Sequence, residues 1–541
     1  MLHKLAILMM MLTAILAAVF HGNIDAQADS PKPKQNGRPA REYYESKSCY
    51  ECHSKPQPYI DPVIEPIICR CNEFEIWETT DKHRLAYVAL KGERAKTIGK
   101  LMKVDVLKDR ACVSCHAVWA DDPDVWAKKP GILEEGVSCL ACHGFDKNRW
   151  VANHGSPNPD DRVDWRKKTR KEKDDLYGMT DLWDPAKRTR LCASCHIGNA
   201  AEGKVLTHEM YAAGHPPLPG FDMSNFSNAM RHWEYLSEKK PDVIKKFEFT
   251  KDQVDFEQAN LVYVGNLVAF ETTLRLAGSL AGSKDWPELA VFDCYACHHD
   301  LKSNNWRQKR GYVGKPGRPT MQTWPTSLVE LALHHSSDAK KIDERLDEFN
   351  TKLKKIRAAY DDQPFGNPEQ ITASALDLAK WIAGQAKQTK VSADITPATY
   401  KRMLTGLIDA HKDRYLDFEA ARQVAGAIRA VYTEGWKKPG VDAEVMKQLK
   451  AIDDDLLLTL DSEARLKHRD ARLAITKNLA SIRKTRPADL SKFLDMNIPA
   501  LQDQYGMELR SFLEGVNRYD PEAFQSKLKG LSAAIGKSQR P

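Results

Sequence analysis

Hydrophobic positions in the last third of the chain repeat with the period of an α-helix. Ile342, Leu346, Phe349, Leu353 and Ile356 follow one another at alternating spacings of four and three residues. Such spacing places apolar side chains along one face of a helix. Two further segments share the pattern: Tyr400, Leu404, Leu407 with His411, and Ile475, Leu479 with Ile482. The pattern predicts a bundle of roughly five to seven helices over residues 336–541.

The first 28 residues have the pattern of a secretory signal peptide. Lys4 precedes an apolar run from Leu5 to Phe20, and Ala26-Gln27-Ala28 offers a cleavage site. The run is shorter than the ~20 residues that a membrane-spanning helix needs. We therefore expect cleavage near Ala28, no transmembrane span afterwards, and a periplasmic or otherwise exported protein. An uncleaved anchor is the alternative.

The middle of the chain differs from both ends. Residues 29–41 are rich in Pro, Lys and Gly and are expected to form a flexible leader. Residues 42–335 contain all twelve cysteines, with long irregular stretches between them. We expect this region to be one domain with little regular structure. The predicted fold class is therefore mainly α, with this domain followed by a separable helical bundle.

Ten of the twelve cysteines belong to five copies of one motif, C-x-x-C-H. The copies are Cys49 to His53, Cys112 to His116, Cys139 to His143, Cys192 to His196, and Cys294 to His298, with Cys52, Cys115, Cys142, Cys195 and Cys297 as the second cysteines. This is the signature of c-type haem attachment. Two thiols three residues apart on one turn can each bond a vinyl group of the same macrocycle, and the following imidazole can bind the iron.

The motifs therefore predict five covalently attached haems c. His53, His116, His143, His196 and His298 are the expected proximal iron ligands. Zinc sites and redox disulfides also use C-x-x-C pairs. However, zinc sites do not require His directly after each second Cys, and redox disulfides usually occur as single motifs.

Cys69 and Cys71 remain outside the motifs. They lie too close together in the sequence for haem attachment and are strained for a mutual disulfide. Buried or free thiols are the simpler interpretation. A role as a ligand or a redox group is the alternative.

The ligand on the second face of each iron separates an electron carrier from an enzyme. A second His closes the iron, whereas an open face permits substrate binding. Five histidines outside the motifs are the predicted distal ligands: His83, His154, His208, His215 and His232. His299, His334 and His335 are alternatives. His411 and His468 are interpreted as residues of the helical bundle.

Three segments resemble the multihaem cytochrome family that includes cytochrome c-554 of ammonia oxidisers. They are Gly136 to Gly144, His208 to Leu218 and Cys294 to Asp300, and the similarity covers roughly residues 45–325. The resemblance implies mostly bis-His haems in close stacked and perpendicular pairs that form an electron wire. This chain has five motifs, whereas the type member of the family has four. The family's complete haem arrangement therefore cannot be assigned to this chain.

These observations predict a multihaem cytochrome that transfers electrons between partner proteins, either other cytochromes or a membrane quinol-oxidising complex. The alternative is an oxidoreductase that acts on a small nitrogen or sulfur compound at one open haem. The formal net charge of +7 does not predict a nucleic-acid partner. The ionised propionates of five haems would add up to about ten negative charges and reverse its sign.

Overall fold

The computed structural model describes residues 45–54, 67–118, 131–145, 150–156, 158–299, 301, 303, 306–311, 314–335, 341–392, 396–435, 442–456 and 513–538. The predicted signal peptide and leader lie outside these residues, as do His468 and the predicted helix around Ile475 to Ile482. Within the described part of the chain, no helix is long and apolar enough to cross a membrane. The described residues contain helices and two isolated β-bridges but no strand, which confirms the predicted α class.

Short helices dominate the region that contains the motifs. In chain order they are α1 (Lys47–His53), α2 (Glu73–Thr80), α3 (Ala86–Ala89), α4 (Glu93–Met102), α5 (Arg110–His116), α6 (Gly131–Glu134), α7 (Cys139–His143), α8 (Trp150–His154), α9 (Pro159–Lys167), α10 (Arg170–Asp175), α11 (Pro185–His196), α12 (His208–Ala212), α13 (Met223–Ala229), α14 (Pro241–Lys246) and α15 (Lys251–Asp255). These helices leave little apolar core of their own, because most of them span only one to three turns.

Most of the remaining helices are longer. They are α16 (Glu257–Ala281), the short α17 (Trp306–Arg310) and α18 (Val329–Leu333), then α19 (Ile342–Asp361), α20 (Pro368–Gln388), α21 (Pro397–Asp409), α22 (Phe418–Gly435), α23 (Ala443–Asp455) and α24 (Pro521–Lys537). Single 3-10 turns occur at Lys82–Leu85, Ala200–Glu202, Leu236–Glu238, Leu289–Val291, Cys294–Ala296 and Trp324–Thr326.

Two of the three predicted amphipathic stripes fall within the described residues, and both lie on helices. Phe349, Leu353 and Ile356 are buried on α19, and Ile342 and Leu346 of the same stripe are half-buried. Tyr400, Leu404 and Leu407 are buried on α21, and His411 is buried just beyond its end. The two ring nitrogens of His411 lie 2.7 and 2.9 Å from the backbone carbonyls of Leu407 and Ser327, and the neutral ring can donate to either one of them. His411 is therefore held as a residue of the bundle.

The long helix α16 links the motif region to the C-terminal helices. It packs on α11 on one side and on α20 and α22 on the other. Gly278 permits the close approach of α20, because a Cβ atom there would lie only 3.2 to 3.3 Å from Leu376 and Ala375. One hydrophobic core runs from Phe256 on the segment before α16 to Ile535 on α24. The predicted domain boundary at residues 335/336 falls inside this range, and the division into two domains stays a prediction.

A pH dependence of stability follows from Glu419, which joins α22 to the segment before α13. Its carboxylate accepts a hydrogen bond from the Gly220 N–H (2.6 Å) and lies 4.0 Å from the Arg422 guanidinium. Burial raises the pKa of Glu419 to about 7, and the Asp417 charge adds to this rise against the opposing effects of Arg422 and Gly220. The folded protein therefore binds a proton that the unfolded chain releases near its ordinary pKa of 4.5.

We expect this proton to stabilise the fold fully below about pH 4.5, with the contribution lost as the pH rises through about 7. The loss amounts to about 3 kcal/mol, at about 1.4 kcal/mol for each pKa unit. Glu419→Gln keeps the acceptor oxygen and should remove this slope, as measured by denaturant unfolding at pH 5 and pH 8. Glu348→Gln, at an exposed site on α19, is the control. An unchanged slope in the Glu419 variant would refute the assignment.

Candidate haem-binding site

Each motif ends a helix or lies on a single turn. His53, His116, His143 and His196 are the last residues of α1, α5, α7 and α11, whereas the fifth motif begins on the 3-10 turn Cys294–Ala296. Residues three apart share one face of a helix, so both thiols of a motif point the same way. All twelve cysteines, including Cys69 and Cys71, are free thiols.

The structure places each motif histidine opposite a histidine from outside the motifs. The ring centres are 5.9 Å apart for His53 and His154, 6.0 Å for His196 and His83, 6.4 Å for His116 and His215, 6.4 Å for His143 and His232, and 6.2 Å for His298 and His208. These pairs contain all five expected proximal and all five predicted distal histidines, but not the alternatives His299, His334 and His335.

The spacing fits an iron between the two rings. An imidazole nitrogen binds a transition metal at about 2 Å, and the ring centre lies about 1 Å further away, so two imidazoles on opposite sides of one ion have centres about 6 Å apart. The five observed distances cluster around this value. Within the described residues, no three or more His, Cys, Asp or Glu side chains group to hold a bare metal ion.

Hydrogen bonds orient several of these imidazoles. The Nδ1 atoms of His116 and His215 lie 2.8 Å from the carbonyl oxygens of Ala86 and Pro216, and His232 Nδ1 lies 3.2 Å from the Met230 carbonyl. Because a carbonyl only accepts, Nδ1 carries the proton in these bonds. Nε2 is then left with its lone pair, which is the tautomer that binds a metal.

Two other imidazoles are held by carboxylates. His53 Nδ1 lies 2.8 Å from Glu73, and His83 Nδ1 lies 2.9 Å from Asp81. Burial alone would lower the pKa of both histidines, but the hydrogen bond and charge of each carboxylate outweigh it and raise the pKa. The same bond lowers the pKa of Glu73 to about 2, against its own burial. Carboxylate partners of this kind make a ligating imidazole more basic.

Burial keeps four of the other imidazoles neutral. It lowers the pKa of His143 and His215 to about 4, and that of His154 and His196 to about 3. Trp150 and Trp165 surround His154, with ring centres at 6.3 and 5.9 Å. A neutral imidazole is the form that coordinates iron, so these sites favour the ligating state at neutral pH.

Glycine is required directly after the third motif. Gly144 has a φ of +93°, and a Cβ atom there would lie 2.3 Å from the carbonyl oxygen of Gly178. The chain turns sharply at this point, and the Thr180 N–H donates to the carbonyl of His143 at 2.9 Å. The turn fixes the backbone that carries His143.

Contacts between thiols bring separate motifs together. The Cys49 and Cys139 thiols lie close enough to shift each other's pKa, as do the Cys115 and Cys195 thiols. Cys142 lies within electrostatic range of Cys192 and Cys195. The first motif therefore adjoins the third, the second adjoins the fourth, and the third adjoins the fourth.

The alternative ligands have other surroundings. The His335 ring packs on Tyr263 at 4.3 Å, and His334 and His299 are exposed. Cys71 has a positive φ of 62°. Burial, followed by the charge of Glu73, raises the pKa of Cys69 to about 12, which keeps it a neutral thiol. These thiols lie close to the Glu73 carboxylate that holds His53, and their role stays open.

The family described as "Cytochrome c554 and c-prime" matches residues 68–144. The match includes the second and third motifs and His83, and it indicates a c-type cytochrome of electron transfer with haem c as cofactor. Among the curated proteins and among the solved structures, no match to the chain was found. The chain is therefore similar to this cytochrome family over residues 68–144, which confirms the resemblance for the segment from Gly136 to Gly144; the segments at 208–218 and 294–300 lie outside the match.

Sequence reasoning missed the residues that orient the ligands. Asp81 precedes His83 by only two residues, so the sequence could have predicted a hydrogen bond between their side chains. Glu73 lies twenty residues from His53, and only the fold brings the two together. The carbonyls that hold His116 and His215 belong to the backbone and leave no signal in the sequence.

Proposed function

We propose that the protein is a periplasmic pentahaem cytochrome that passes electrons between redox partners. Each motif holds one covalently attached haem, and two histidines close each iron. The ligand pairs are His53 with His154, His196 with His83, His116 with His215, His143 with His232, and His298 with His208. The observation that carries this proposal is the pairing of every motif histidine with a second imidazole about 6 Å away.

The chain's residues have three tasks in this function. The ten motif thiols anchor the macrocycles, and the paired imidazoles hold the irons. The Glu73 and Asp81 carboxylates and the backbone carbonyls at His116 and His215 fix the rings with Nε2 directed away from the hydrogen bond. When bound, each haem carries one electron as its iron changes between the ferric and ferrous states. Ligation by two histidines, without methionine, favours low potentials.

The five pairs also favour a carrier over a catalyst. An oxidoreductase acting at haem iron needs one iron with an open or weakly held face. In the proposed assignment each iron has two imidazole ligands, so none is left open. Redox partners are expected to be other cytochromes or a membrane quinol-oxidising complex.

Intact-mass measurement of the denatured mature protein tests the haem count. We expect the mass of the polypeptide plus five haems, because thioether links survive denaturation. Replacing both Cys294 and Cys297 by Ala should reduce the count to four. Replacing both Cys69 and Cys71 by Ala is the matched control and should leave five. A wild-type mass with four haems, or a loss of haem in the control, would contradict the assignment.

A further inference from the structure

We propose that the haem of the fifth motif terminates the wire next to the haem of the second motif, and that Tyr211 is a positioning residue between them. This inference rests on the proposed ligand pairs. It adds the order of the haems along the wire, which by motif number is first, third, fourth, second and fifth.

One short segment supplies ligands to both haems. His208 is the first residue of α12 and faces His298, whereas His215 lies three residues beyond the helix and faces His116. A helix rises about 1.5 Å per residue, so seven helical residues would span only about 10 Å. This short spacing along the chain favours neighbouring positions for the two irons.

The segment is held by its own hydrogen bonds. The Thr207 hydroxyl accepts from the Met210 N–H at 3.2 Å and caps α12. The His215 N–H donates to the Met210 carbonyl at 2.9 Å, and the Gly214 N–H donates to the Tyr211 carbonyl at 3.0 Å. These bonds fix His215 relative to His208, so the distance between the two sites is set locally.

Tyr211 lies between the two sites. Its ring centre is 6.4 Å from that of His215, and its side chain is within electrostatic range of the Cys294 thiol of the fifth motif. Burial raises the pKa of Tyr211 to about 12, against the opposing effect of the Leu218 backbone. Tyr211 is therefore a neutral, partly buried ring near a ligand of the second motif's haem and a thiol of the fifth motif.

The other side of the fifth motif faces the C-terminal helices. Arg310 connects Asp293, next to Cys294, with Asp417 beside α22, at 3.0 and 3.4 Å. Asp417 and Glu419 also lie within electrostatic range of Cys294. In contrast, thiol contacts join the first motif to the third and the second to the fourth. The fifth haem is therefore placed at an end of the series, against the C-terminal half of the chain.

Anomalous diffraction at the iron absorption edge, from crystals of the holoprotein, tests the order. We expect five iron sites, each between two histidines, with the iron of His298 having the iron of His116 as its nearest neighbour. A different nearest neighbour would overturn the order but leave the proposed ligation intact. Irons that lack the paired histidines would overturn both.

Electron paramagnetic resonance of the ferric holoprotein tests Tyr211. His208→Ala and His215→Ala first identify the two low-spin signals concerned, because each variant should lose one. Tyr211→Ala should then shift those two signals and leave the other three, and Tyr211→Phe, which keeps the ring, should restore them. Shifts in other signals, in one alone or in none would exclude Tyr211 as a positioning residue. If neither His variant loses a signal, the ligand pairs themselves are wrong.

Discussion

Replacing His215 by Ala is expected to turn one of five low-spin haems into a high-spin haem that binds carbon monoxide. His215 faces His116 at 6.4 Å, and the Pro216 carbonyl holds its Nδ1 so that Nε2 is free to bind iron. Loss of this imidazole leaves an iron with one strong ligand and one open face. The four other haems should keep their spectra, because their ligand pairs do not include His215.

The measurement combines spin quantitation of the ferric protein with carbon monoxide titration after reduction. His208→Ala should give the same result at the fifth motif, with about one equivalent bound in each variant. His334→Ala is the matched control, since this exposed histidine lies on the same chain without facing a motif histidine in any of the five pairs. Unchanged spectra in both the His208 and His215 variants would show that these residues are not ligands.

Ending the chain after His335 is expected to abolish stable folding of the part that remains. Helix α16 would lose its packing against α20 and α22, and fully buried residues such as Leu267, Phe270 and Leu274 lie in this shared core. Each large apolar side chain contributes about 1.5–3 kcal/mol when buried. Exposing several of them costs an amount comparable to the 5–15 kcal/mol of net stability that is typical of a folded protein.

Cooperative unfolding, followed by circular dichroism of the truncated holoprotein, tests this expectation. Phe270→Ala in the full chain is the milder variant and should cost about 3–5 kcal/mol, as large-to-small substitutions in a packed core do. A truncated protein that retains five haems, native spectra and a cooperative transition would instead support two separable domains with the boundary at 335/336.

The ligand set was open to prediction from the sequence, but the pairing was not. The motifs predict the proximal histidines directly, and the demand for a second imidazole at each iron points to nearby histidines such as His83 and His154. Their partners depend on the fold: His83 faces His196, which is 113 residues away, and not His53 or His116 of the motifs that flank it. Periodicity and spacing carry no information about such distant contacts.

The long helix α16 was also missed, for a physical reason. Only Thr272, Arg275, Leu276 and Ser279 of its 25 residues are not buried. A helix that is covered on nearly every side has no polar face. The helical periodicity of apolar and polar residues that predicted α19 and α21 is therefore absent from α16. The expectation of a separable C-terminal bundle rested on the absence of haem motifs and on the helical periodicity after residue 336, and the packing of α16 on both regions leads us to expect the opposite.

Carbon monoxide titration of the fully reduced wild-type protein tests the central claim most directly. Carbon monoxide binds a ferrous haem with an open face, whereas an iron closed by two histidines resists it. With all five irons closed by the pairs described, we predict a stoichiometry near zero per chain. Binding of one molecule per chain, together with turnover of hydroxylamine or nitrite, would contradict the account and identify an enzyme with one open haem.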